Sequence, residues 1–312
     1  MLQSLRSISI IVCGLLLTFL ATSQSTHPLF MAVKNNDVKQ IKALLNDGKA
    51  DISIVDDDSD NVLMYAALYA SADVMELLLK KGAKINSTNK AGETALMWCM
   101  HDKNKIALLL KYGADVNAAA RSGNTPLLIG CIGNDKYETV KTLLDKGADV
   151  SAKNNKKETA LMRAAMFGDT ATISLLLNKG IDMNARNSEG ETALVQAIKN
   201  SNRQVAVQLL ELGANPDLNE GIFPSALCIA VIFDDIEVVN AILKKTKNAV
   251  GIQASLLFAV YNEHDNIKII GALLDKGANV NMKGPDGSTV LSQALKKGNT
   301  ATVTLLQQAG AK

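Results

Sequence analysis

Aromatic residues make up only 4% of the chain, which has five prolines, four cysteines and three histidines. With aromatics this scarce, the core must come from Leu, Ile, Val, Ala and Met. At 47% hydrophobic over 312 residues there is enough of them for one or two ordinary domains. An excess of charge is missing as well, with 33 Lys and Arg against 31 Asp and Glu. That balance argues against nucleic acid or an anionic membrane as the main partner. No HExxH, GxSxG, GxxxxGK[ST] or CxxC occurs, so the usual routes to metal, nucleophilic or phosphate chemistry are not written here. His27, His101 and His264 lie far apart, and none pairs with a cysteine or a second histidine as a metal site requires. Catalytic, cofactor and metal residues are therefore expected to be none.

One long apolar run is present, "ISIIVCGLLLTFLA" at 8–21, behind the single positive charge of Arg6. It reads as a secretory signal peptide cut after Ser23, with Ala21 and Ser23 as the small residues of the cleavage site. Fourteen residues are short for a bilayer span, and Val12 before Cys13 argues against lipidation. The expected division is a leader over 1–23 and one domain over 24–312, with His27 too close to Gln24 for a further domain between. Removing Arg6 leaves 32 basic residues against 31 acidic ones. The remaining Cys99, Cys131 and Cys228 are odd in number and suit buried small apolar positions better than a disulfide framework.

Past the leader the chain repeats itself. "TALMWCM" from Thr94, "TPLLIGC" from Thr125, "TALMRAAM" from Thr159, "TALVQAI" from Thr192 and "SALCIAV" from Ser225 are variants of one phrase. A second phrase, "LLxxG", begins at Leu44, Leu78, Leu109, Leu143, Leu176, Leu209 and Leu273, mostly 31 to 34 residues apart. A period of this size marks a solenoid. Each unit opens on a Thr or Ser suited to cap a helix, continues with apolar residues at helical spacing, turns, and writes a second helix ending at Gly. A polar stretch such as "IDMNARNSEGE" then projects as a turn or hairpin. Ordering a residue costs about 1–2 kcal/mol, more than one unit's few apolar residues can offset, so the units must stack.

The layout, with "TALM", "TPLL" and "LLDKGADV", resembles the ankyrin repeat family over nearly the whole chain past the leader. The resemblance implies an all-α solenoid of nine helix–turn–helix units with projecting β-hairpin loops, starting near His27, Asn61, Thr94, Thr125, Thr159, Thr192, Ser225, Ser255 and Thr289. The family's histidine after "TPL" is replaced throughout, for instance by Met97, Met162 and Val195. The unit at Thr94 is two residues short, and the one at Ser225 loses its closing glycine and runs into "KKTKNAVGIQA", where a distorted hairpin or kink is expected. Gln307 in place of Leu suits a terminal cap. "DDDSD" at 56–60 mimics the start of a calcium loop, but Asn61 and Ala67 break the pattern, and a solvated acidic tip is the expectation. "NST" at Asn86 is a lone glycosylation sequon.

Such arrays resemble one another in binding through hairpin tips and the exposed end of the first helix, together a concave surface. By register this picks out Leu68, Tyr69, Trp98, His101, Asp102, Ile132, Met166, Phe167, Lys199, Ile232 and Phe233, with Tyr65 beside Trp98 and Asn200 beside Lys199. Phe167 and Phe233 are expected to be substantially exposed; the alternative is that such side chains cover the seams between repeats. Asp57, Asp58, Lys90, Glu93, Arg121, Lys156, Glu158, Glu189 and Glu191 would form a charged rim. The resemblance and the leader together imply an exported, periplasmic or extracellular, non-enzymatic scaffold, monomeric, that binds another protein, as an immunity protein or inhibitor of a toxin or enzyme. The alternatives are a periplasmic accessory to a stress-defence enzyme and, more remotely, an enzyme.

Overall fold

In a computed structural model, residues 27–46, 50–132, 136–218, 225–261, 266–284 and 286–312 are described. The expected leader, 1–23, lies outside them. The described residues form nine helix pairs: α1 (Pro28–Lys34) with α2 (Val38–Asn46), α3 (Val62–Tyr69) with α4 (Ala72–Lys80), α5 (Ala95–Trp98) with α6 (Lys103–Lys111), and α7 (Pro126–Gly130) with α8 (Lys136–Asp145). There follow α9 (Ala160–Met166) with α10 (Thr170–Asn178), α11 (Ala193–Lys199) with α12 (Arg203–Glu211), and α13 (Ala226–Ile232) with α14 (Ile236–Lys245). The last pairs are α15 (Ala249–Tyr261) with α16 (Ile267–Asp275) and α17 (Val290–Lys297) with α18 (Thr300–Gln308). The only β-structure among the described residues is three isolated bridges, Val55 to Asn61, Lys153 to Thr159 and Lys283 to Thr289, each closing a finger between repeats.

The chain divides into two compact units, one of Met1–Gly133 with Thr142–Ala148 and one of Asn134–Lys141 with Asp149–Lys312. In the first, α1 packs on α3, α3 on α5 and α5 on α7, while α4 packs on α6. In the second, first helices α9, α11, α13, α15 and α17 pack in succession, and so do second helices α10, α12, α14, α16 and α18. Within each unit, successive repeats thus bury their apolar faces on one another. Leu63, Leu96 and Leu127 line the core of the first unit, and Leu161, Leu194 and Leu227 that of the second.

Most of the expected capping residues act as the sequence reads. Thr125, Thr159, Thr192, Ser225 and Thr289 each accept a backbone N–H three residues on through the hydroxyl, satisfying an otherwise unpaired donor. Asn61 caps α3 with its amide oxygen, and His27 caps α1 through Nδ1. Gly180, ending the helix before it, takes φ +86°, where a side chain is strained.

Two local expectations change. Ser255 does not open a repeat: it is buried inside α15, its hydroxyl donating to Gly251 O at 2.8 Å. No glycine follows α14, so the chain leaves it in an extended conformation at Thr246 and re-enters a helix at once. Asn248 caps that helix, accepting from Gly251 N at 2.8 Å. Asp217 holds the connection, bonding the Thr246 hydroxyl and accepting from Lys247 N. A helix extension therefore stands where a distorted hairpin or kink was expected. The acidic tip is also less solvated than expected. Asp56 Oδ1 accepts from Asp58 N and Asp60 N, both at 2.9 Å, and Asp60 is buried; only Asp57 and Asp58 face water.

Candidate protein-binding face

Asp56 is one copy of a device. Five residues before the helix cap, Asn89, Asn154 and Asn187 turn their fingers in the same way, each accepting two backbone N–H groups of its own finger. The residue just before the cap then points a carboxylate at the first helix, where a donor five residues on meets it. Trp98 Nε1 donates to Glu93 at 2.9 Å, Arg163 to Glu158 at 2.9 Å, and Gln196 Nε2 to Glu191 at 2.6 Å. In the first finger the donor is the Tyr65 hydroxyl and the acceptor is Asp56, at 2.8 Å. An acid followed five residues later by a donor is a signal the sequence carries, although helical spacing alone does not draw the eye to it.

Three rim charges are therefore engaged within the molecule. Glu93 also accepts from Asn89, Glu158 from Asn154 at 2.7 Å, and Glu191 pairs with Lys199 at 2.7 Å. Burial alone would push the Glu158 carboxyl up, but hydrogen bonds from Asn154 and Arg163 outweigh it and hold the group below its ordinary value. Burial pushes Asp60 up to about 6, against the Asn89 hydrogen bond and with help from Asp56, Asp58 and Glu93. Asp57, Asp58, Lys90, Arg121, Lys156 and Glu189 are exposed.

Of the apolar residues placed on the face, Tyr69 is 41% and Ile232 39% exposed. Leu68, Trp98, Ile132 and Met166 are partly buried, while His101 and Lys199 are exposed. Phe167 and Phe233 are partly buried, short of the substantial exposure expected. Lys136 explains the first, lying 5.1 Å from the Phe167 ring centroid and donating to its carbonyl at 3.2 Å. Phe233 lines a cleft of about 520 Å³ together with Gly168, Ile198, Asn202, Arg203 and Asp235. Asp102 is the cap of α6, accepting from Asn104 N and Lys105 N, so its carboxylate has a structural task.

Sequence reasoning missed the seams. Lys105, 4% exposed, donates to Ala66 O and Ala67 O at the end of α3, at 3.2 and 2.9 Å. Asn202 does the same for Ala165 O and Met166 O, and a Cβ on Gly168 would meet Asn202 Oδ1 at 2.8 Å. Asn86, the sequon residue, bridges Gly113 O and Asp115 N of the following repeat. Cys99, Cys131 and Cys228 are buried and form no disulfide, and burial pushes the Cys99 thiol up to about 12. Among the described residues no group of three His, Cys, Asp or Glu is arranged to hold a metal ion, and no helix is long and apolar enough to cross a membrane.

A family model described as ankyrin repeats (3 copies) matches residues 11–89, 81–154 and 128–220. The E3 ubiquitin-protein ligase KEG of Arabidopsis thaliana is 24% identical over 298 residues, covering 90% of this chain and 16% of that protein. An L-asparaginase of Dirofilaria immitis is 29% identical over 188 residues, 60% of this chain and 26% of that one. The chain thus spans about a quarter or less of the length of these relatives. Among solved structures, a chain from a complex of a predatory endopeptidase of Bdellovibrio bacteriovorus with an immunity protein is 30% identical, with a TM-score of 0.55. That match covers 60% of this chain and 99% of the other.

Proposed function

The chain belongs to the ankyrin repeat family, and on that premise we propose that it is a protein-binding scaffold that inhibits or neutralises an enzyme. Its working surface is the face made by the fingers and the ends of the first helices. The observation that carries the reading is the likeness to a chain from an endopeptidase–immunity protein complex, 30% identical and matched over 99% of its length. Local features support it. Tyr69 in the first unit and Ile232 in the second, eight and seven residues after their helix caps, are exposed apolar side chains, and the exposed charges of the described finger tips suit the polar rim of a protein contact. The buried thiols suit packing better than catalysis.

The protein works outside the cytoplasm in this reading, exported by the segment over 1–23. Fractionation would find it in the periplasm or medium, and retention in the cytoplasm would remove that part. To test the function, the protein is crosslinked in its own compartment, its partner identified, and the partner's activity titrated. Inhibition reaching completion near one equivalent supports the reading. A partner whose activity is unchanged or raised overturns it, and oxidant sensitivity of a deletion strain would then point to the accessory role.

A further inference from the structure

In the first unit, aromatic residues from the first helices of successive repeats lie side by side. Phe30 and Tyr65 have ring centroids 4.5 Å apart, and Tyr69 follows at 6.1 Å from Tyr65. Trp98, the only tryptophan, occupies on α5 the register position that Tyr65 occupies on α3, and these helices pack together. Their polar edges are fixed to acids, Tyr65 to Asp56 and Trp98 to Glu93, while Asn89 bonds both Asp60 and Glu93 and so ties two fingers together. Beside the rings, residues 51–60 contain five aspartates and no lysine or arginine. Asp57 and Asp58 are exposed and make no ion pair among the described residues. The unit already shows where a cation rests here, since the Lys34 ammonium lies 5.5 Å from the Tyr69 ring centroid.

We propose that this face, with Tyr69 and Trp98 as its apolar floor and Asp57 and Asp58 as its acidic edge, seats a lysine- or arginine-bearing loop of the partner protein. The inference rests on the scaffold reading above and names the chemistry of its partner. A basic loop satisfies both halves of the site: its charge meets unpaired carboxylates, and its stem and head lie on aromatic faces. A neutral apolar segment would strip water from Asp57 and Asp58 without replacing it, and an acidic one would be repelled.

Trp98 supplies the readout. Tetralysine and tetra-arginine amides are titrated into the protein while its fluorescence and indole N–H resonance are followed, with tetraglutamate and calcium chloride as further arms. Both basic peptides shift the signals saturably and more weakly as salt rises; Asp57→Asn with Asp58→Asn weakens binding about three- to tenfold, and Tyr69→Ala weakens it too. Both aspartates are exposed, so the double variant keeps the fold, checked by its melting temperature. Silence toward basic peptides, an equal response to tetraglutamate, a response indifferent to the double substitution, or calcium alone reproducing the shift would each overturn the proposal. Once a partner protein is in hand, full affinity of the double variant alongside loss of binding by Ile232→Asp would sink this inference and leave the scaffold reading standing. Failure to capture any protein would sink the scaffold reading, with the peptide titration still deciding the site.

Discussion

In the sixth repeat the Thr192 hydroxyl accepts from Val195 N at 3.4 Å and opens a seven-residue helix; in the third, the Thr94 hydroxyl is buried without a partner and the helix has four residues. The cap of the second helix falls ten residues after Thr192, at Asn202, but only eight after Thr94, at Asp102. Asn202 reaches back from its cap position to the carbonyls of α9. Asp102 is a carboxylate and accepts only, so the same task on α3 passes to Lys105, from within α6. The seam between repeats evidently needs its helix-end carbonyls paired more than it needs a particular residue to do so, since unpaired buried carbonyls cost about 1–3 kcal/mol.

The largest effects test whether the short repeat is packed as firmly as the full one. Leu109→Ala and Leu209→Ala remove side chains that are both 0% exposed, and each should cost about 2–5 kcal/mol in urea unfolding. A much smaller loss at Leu109 would mean that the shortened repeat is loosely built. Next, Lys105→Met and Asn202→Ala should each cost about 1–3 kcal/mol by leaving helix-end carbonyls unpaired; a neutral Lys105→Met would show that removing a buried cation repays the lost bonds. The cap comparison is smaller but cleaner. Thr192→Ala should cost about 1 kcal/mol, whereas Thr94→Ala should leave the denaturation midpoint nearly unchanged, and equal losses would refute the orphaned hydroxyl.

The smallest expected effect concerns two carboxyls at one register position, the residue before the cap. Asp60 is raised to about 6, so its contribution to stability is full below its ordinary value near 4 and is lost as pH rises from about 4 to about 6. Glu158 is held low, so its contribution is present above its ordinary value and is lost as pH falls through the folded one. Asp60→Asn should remove a downward slope in the melting temperature between these limits, and Arg163→Leu should weaken the protection that Glu158 gives. A wild-type profile unchanged by Asp60→Asn would show that the acid is not strained by its burial.

Much of the fold could be read from residues a few positions apart. The caps at Thr125, Thr159, Thr192 and Thr289 and the glycine ending α10 all do what their local context dictates. Ser255 misled because it stood at the right interval in an apolar run, yet "AVGIQASLLFAVY" has no breaker strong enough to stop a helix from starting at Ala249. The face was harder. Tyr69 and Ile232 are exposed, but exposure at Phe167 depends on Lys136, and the freedom of Glu93 and Glu158 depends on Trp98 and Arg163.

Sequence alone determined the helix pairs and most of their caps, because a helix and its ends are settled by side chains within one or two turns. Only tertiary structure decided which carbonyls borrow a lysine from the next repeat and which aromatics gather into one surface. Those outcomes rest on groups roughly one repeat apart meeting across a seam, and neither composition nor period records the distance between them.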